Sequence, residues 1–210
     1  MKLVFDIGYN HGDYTRSVIS AYPEVDIVAV EGHPTFCTLF KLSPLNCVNL
    51  IEGVVSDVVS DKVSFFLSKE SGNSFLWPDF KHHARITKKT AFIDEYFDLL
   101  QTVQDVISVK SVTLDHLINQ YGMPDLIKLS IEGREHLAFR SLTHKVPLIA
   151  FEWLSRDREY VLECLSILKQ LKYTQIACTD IQRTIQFELD YHPIDNTDIM
   201  QGDKGMLYVK

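Results

Sequence analysis

The chain has 210 residues, 46% of them hydrophobic and 23% charged, a size and balance that fit one α/β domain. No apolar run approaches the roughly 18 residues needed to span a bilayer, so the chain reads as soluble and without a membrane partner. A formal net charge of −7 argues against a broad electrostatic grip on nucleic acid, which needs a basic face.

Taken in chain order, apolar strand-like runs alternate with amphipathic stretches. Leu3–Ile7 reads as a strand, Asp13–Tyr22 as a helix, Ile27–Glu31 as a strand, Thr35–Leu42 as a helix and Val48–Val55 as a strand. This βαβαβ rhythm predicts a doubly wound, mostly parallel sheet with helices on both faces. Lys62–Leu67 adds a short strand, and Thr113–Tyr121 reads as a helix closed by Gly122 and Pro124. Leu126–Leu129, Leu148–Trp153, Gln175–Cys178 and Met206–Val209 are strands, with helices at Glu135–Leu142 and Arg156–Leu171. The alternation fills residues 1–210 as a single domain. Residues 78–110 break it, carrying the basic cluster Lys81–Lys89, several aromatics and an amphipathic stretch, Ile93–Val103, read as helical. They are a candidate lid or an accessory insertion.

Met1 and Lys2 lead straight into the first strand with no leader pattern, so the default expectation is cytoplasmic. Cys37, Cys47, Cys164 and Cys178 are widely spaced and suit reduced, packed thiols. His82 and His83 have no carboxylate at metal-ligand spacing, and no metal ligand is assigned.

In an open parallel sheet, ligands bind beyond the carboxyl ends of the strands where the strand order reverses. After the first strand, Gly8 and Gly12 permit a tight turn and close backbone approach, while Asp6 and Asn10 offer polar atoms to a ligand. The spacing is GxNxG, without the third glycine of a dinucleotide-binding turn, which weakens a dehydrogenase reading. Glu31 ends the second strand about 20 residues after that turn, where an acidic side chain accepts the hydroxyls of a ribose. The alternative role for Glu31 is to serve the helix that begins near Pro34. The loop VVSD, Val54 to Asp57, is a third candidate ligand loop, or a plain turn.

The strings VFDIGYNHGDYT, VAVEGHP, VVSD, SGNSFL, VTLDHL, DLIKLSIEGREHLAFRSL and IAFEW, in this order, resemble the FkbM-type family of S-adenosylmethionine-dependent methyltransferases. The resemblance implies a seven-stranded class I methyltransferase fold with an antiparallel last strand. It implies S-adenosyl-L-methionine as cofactor and O-methylation of a hydroxyl on a small-molecule or glycan acceptor. Carried over residue by residue, it places Asp6, Gly8, Asn10 and Gly12 around the amino-acid and sulfonium end of the cofactor. Glu31 falls on the ribose hydroxyls and Ser56 and Asp57 near the adenine; Tyr9 and His11, inside the glycine turn, are further candidates to face the cofactor.

The fourth strand departs from the family pattern, because Ser130 stands where an acidic residue is usual. A neutral hydroxyl cannot act as a carboxylate base, so Glu132 or Glu152 is expected to carry that role, or the chain has kept the cofactor site as a binding or scaffolding module. Glu132 has an alternative role as a carboxylate meeting the free N–H groups of the next helix. The loop SIEGR lacks the Asn/Asp-Pro-Pro-aromatic signature of base methylation. The acceptor is expected in an open cleft or across a homodimer.

Overall fold

The computed structural model describes residues 1–69, 75–76, 103–180 and 183–210. The basic cluster Lys81–Lys89, most of SGNSFL, His82, His83 and the helix expected over Ile93–Val103, up to residue 102, lie outside the described residues.

The strands are β1 (Leu3–Ile7), β2 (Asp26–Glu31), β3 (Val48–Glu52), β4 (Val54–Val55), β5 (Ser60–Ser68), β6 (Phe75–Leu76), β7 (Val103–Val112), β8 (Leu126–Leu129), β9 (Leu148–Leu154), β10 (Gln175–Thr179), β11 (His192–Pro193) and β12 (Lys204–Val209). The helices are α1 (Asp13–Ala21), α2 (Pro34–Leu42), α3 (Leu114–Tyr121), α4 (Glu135–Arg140) and α5 (Arg158–Gln170).

Eight strands form the main sheet in the order β11-β10-β12-β9-β8-β1-β2-β3. β3, β2, β1, β8 and β9 run parallel, whereas β12 is antiparallel to both β9 and β10. The mostly parallel sheet with an antiparallel last strand is the arrangement expected; the eighth strand is the two-residue pairing of β11 on β10. From β1 the chain winds outward through β2 to β3, then returns to β8 on the other side of β1. The strand order therefore reverses between β1 and β8, which is where a doubly wound sheet opens a crevice.

Both faces of the main sheet are covered, so its strands are apolar on successive residues as well as alternate ones. Phe5, Ile127, Leu129, Ile149 and Phe151 face one core with Leu117 of α3, Phe139 of α4 and Leu165 of α5. Val4, Leu126, Ala150 and Tyr208 face the other with Tyr14 and Val18 of α1. The helix starts follow local chemistry: Thr113 caps α3 by accepting from the His116 N–H at 3.1 Å, and Pro34 opens α2 behind His33, whose Nδ1 accepts from the Thr35 N–H at 3.2 Å. All four cysteines are free.

Two features depart from the alternation read in the sequence. The run Val48–Val55 is broken at Gly53 into β3 and β4, and β4 leaves the main sheet to pair with β7. Val103–Lys110, read as the end of the irregular stretch, belongs to strand β7, which pairs antiparallel with β5. These strands and β6 make a second sheet in the order β4-β7-β5-β6. Val54 and Phe65 of that sheet pack on Leu137 of α4, which holds it over the carboxyl edge of the main one.

Candidate functional site

A cleft of about 260 Å³ opens at the carboxyl ends of β1, β2 and β8, bounded by the second sheet on one side and by the ends of β9 and β12 on the other. Gly8, Tyr9, Asn10, Glu31, Ser130, Glu132 and Glu152 line it, so the structure brings these sequence candidates together.

The floor is the turn after β1. Gly8 has φ +80°, and a Cβ there would lie 2.0 Å from the Ser130 carbonyl oxygen, so only glycine lets the two strand ends approach. Asn10 is also left-handed, at φ 51°. The Gly8 and Tyr9 N–H groups both donate to the Val30 carbonyl, at 3.0 and 3.2 Å. Gly12 does not line the cleft; it makes room for the Tyr9 ring, which would sit 2.4 Å from a Cβ at that position and meets Phe40 edge-on. His11 reaches the rim against Phe36, with 4.7 Å between ring centroids.

Beneath the turn lies a buried ion pair. Asp6 and Lys128 are register partners on β1 and β8, and Lys128 Nζ donates to Asp6 Oδ1 at 2.9 Å and to the Gly8 carbonyl at 2.7 Å. The other Asp6 oxygen accepts from Thr15 Oγ1 at 2.7 Å. Asp6 is fully buried and its carboxylate is occupied on both oxygens. It supports the turn from below and does not line the cleft.

Glu31 ties the first two loops together. Its Oε2 accepts from the Asn10 N–H and its Oε1 from the His33 N–H, each at 2.7 Å. The carboxylate thus serves the start of α2, one of the two roles read from the sequence, and also reaches the first turn. Each oxygen has further lone-pair capacity toward the cleft. Burial pushes the Glu31 carboxyl above its ordinary value, and these two N–H groups and the Lys128 charge oppose that rise.

Ser56 and Asp57 fall outside the cleft lining. Ser56 is buried and its Oγ donates to Asp57 Oδ1 at 3.0 Å, a local turn contact. The wall there is formed by Val54, Val55 and Phe65.

At the other end, β8 finishes in Ser130, whose Oγ donates to Glu152 Oε2 at 2.8 Å. Glu132 follows in the left-handed region at φ 58°. Burial, together with the charges of Glu152 and Glu135, pushes its carboxyl up to about 8, offset in part by Arg156 and Lys204. Glu135, the first residue of α4, turns back on the preceding loop, where its Oε1 accepts from the Ile131 N–H at 2.9 Å. Burial holds Glu135 at about 8 as well. Among the described residues no group of three or more His, Cys, Asp or Glu is placed to hold a metal ion, and no helix is long and apolar enough to cross a membrane.

Several lining residues were not singled out from the sequence, Lys128 and Arg134 among them. Lys128 carried a signal, a lysine inside a buried strand, which needs a partner and has one in Asp6 on the neighbouring strand. Arg134, in the turn before α4, carried none, since an arginine beside glycine and glutamate reads as surface.

Asn10 Oδ1, at the floor of the site, is buried and has no hydrogen-bond partner among the described residues. A glycine-floored cradle with an unpartnered amide oxygen and a carboxylate with spare acceptor capacity suits a ligand that brings hydrogen-bond donors, such as hydroxyl or ammonium groups.

A family model described as the methyltransferase FkbM domain matches residues 6–174. No curated protein matches the chain. Among solved structures, the chain is similar to a precorrin-6y C5,15-methyltransferase from Geobacter metallireducens GS-15, at 11% identity and a TM-score of 0.47, covering 100% of this chain and 79% of that one.

Proposed function

The chain belongs to the FkbM methyltransferase family, and from that premise we propose that its cleft binds S-adenosylmethionine and that it methylates a hydroxyl of a small molecule or glycan. The observation that carries the cofactor reading is the Glu31 carboxylate, held at the cleft by the N–H groups of two loops. Glu31 accepts the ribose hydroxyls, Asn10 Oδ1 accepts from the ammonium group, and the Gly8 turn lets the backbone come close to the sulfonium end. When bound, the cofactor supplies an electrophilic methyl group.

A hydroxyl acceptor needs a base, and the carboxylates at the ends of β8 and β9 supply the candidates. Glu132 is the better matched, because a carboxyl raised to about 8 takes up a proton readily near neutral pH. Glu152, held by Ser130, lends the negative charge that helps raise it.

Calorimetric titration with S-adenosylhomocysteine tests the reading. The wild type is expected to bind, and Glu31→Ala to bind about 100-fold more weakly, the loss of two charge-assisted hydrogen bonds. Absence of binding by folded wild type overturns it.

Ser130 supports a second reading, a chain that keeps the cofactor and has lost the chemistry. The carboxylate expected there is replaced by a hydroxyl that donates to Glu152. Cofactor binding without methyl transfer to any hydroxylated acceptor, and transfer restored in Ser130→Asp, are its signature; turnover by the wild type rules it out.

A further inference from the structure

Arg134 lines the cleft yet is 6% exposed, and its Nε is sealed from solvent with no hydrogen-bond partner. Its NH1 donates only to the neighbouring Gly133 carbonyl, at 3.2 Å, and the guanidinium lies 5.6 Å from the Tyr160 ring centroid. Among the described residues no carboxylate lies within ion-pair distance of it. The other cations near the cleft differ: Lys128 is paired with Asp6, Arg156 with Asp157 and Arg183 with Asp13. Lys204, exposed at the start of β12, lines the same cleft and likewise has no carboxylate within 4 Å among the described residues.

A buried cation without a counter-charge is costly, and an aromatic face offsets only a fraction of that cost. The compensating charge has a place to come from, since Arg134 lines the open cleft.

We infer that Arg134, aided by Lys204, recognises an anionic group on the acceptor, a carboxylate or a phosphate ester carried on the same molecule as the hydroxyl. This rests on the methyltransferase reading for the identity of the ligand as acceptor, but the anion site itself does not. Arg134 is a binding residue here, presenting planar paired donors to the anion, while Lys204 adds a mobile charge.

The test is calorimetric titration at pH 7 and constant ionic strength. Glucuronate, glucose as its neutral twin, and inorganic phosphate are added to the protein with and without saturating S-adenosylhomocysteine. Wild type is expected to bind glucuronate or phosphate at least tenfold more tightly than glucose, and which anion wins separates a carboxylate from a phosphate. Arg134→Gln is expected to lose that preference and Arg134→Lys to keep part of it. Lys204→Gln, at an exposed position that does not threaten folding, is expected to weaken anion binding about threefold. Equal affinity for glucose and glucuronate together with no saturable phosphate binding overturns the proposal, as does an undiminished preference in both glutamine variants. Failure of S-adenosylhomocysteine to bind refutes the cofactor reading instead, and the anion titrations on the unliganded protein still decide this one.

Discussion

Replacing Lys128 by methionine isolates what the buried pair under the first turn contributes. The Lys128 side chain is 6% exposed and that of Asp6 1%, and the ammonium also holds the Gly8 carbonyl at 2.7 Å. Methionine fills similar volume but leaves the Asp6 carboxylate buried with Thr15 as its remaining hydrogen-bond donor. Breaking one side of such a pair costs about 3–5 kcal/mol. For a chain of this size that corresponds to a fall in Tm of roughly 6–20 °C. Removing both charges, Lys128→Met with Asp6→Asn, abolishes the stranded anion, so the double variant should be less destabilised than the sum of the singles by about 2 kcal/mol or more. Urea unfolding followed by circular dichroism measures all four corners of the cycle. A Lys128→Met protein within about 1 kcal/mol of wild type, or strictly additive singles, refutes the claim that the pair is desolvated and mutually dependent.

Gly8→Ala should be destabilised by more than the ~1–2 kcal/mol of a left-handed alanine, because its Cβ would meet the Ser130 carbonyl oxygen at 2.0 Å. Its S-adenosylhomocysteine affinity should fall with it; unchanged Tm and unchanged titration would show that the strand ends are not in that contact. Glu135 gives a pH prediction. Its carboxyl is raised from 4.5 to about 8 in the folded chain, so folding takes up a proton between these values and stability falls as pH climbs through that window. Glu135→Gln can still accept from the Ile131 N–H but does not ionise, so its stability relative to wild type should improve by at least ~1 kcal/mol between pH 5 and pH 9. Parallel pH dependences in denaturant unfolding would contradict the burial argument.

Much of the fold was legible because its cause is local. Strands such as Leu126–Leu129 and Leu148–Leu154 are apolar except at Lys128 and Glu152, as befits strands covered on both faces, and the helices between them carry one apolar face. The second sheet was not legible for the opposite reason. β4 pairs with β7 across more than fifty intervening residues, and nothing in Val54–Val55 announces a partner that far away. The break at Gly53 looked like continuity because apolar residues stand on both sides of it. At the site, Glu31 and the glycine turn could be found because their spacing follows from sheet geometry. Ser56 and Asp57 stand near the adenine only on the family resemblance; in the structure the two side chains bond to each other, as the plain-turn alternative has it. Arg134 stayed hidden because its aromatic neighbour, Tyr160, is remote in sequence.

β12 is the one strand of the main sheet that reaches the cleft by its beginning. Its reversed direction delivers Lys204, not its last residue, to the rim where β8 and β9 end. The connection that feeds it, residues 194–203, therefore leads into the Lys204 rim, the end proposed above to meet the acceptor. The two ends of the cleft are consequently built on separate stretches of chain. On the proposal made above, changes of length or charge in that connection alter which molecule is accepted while Gly8, Asn10 and Glu31 keep their places.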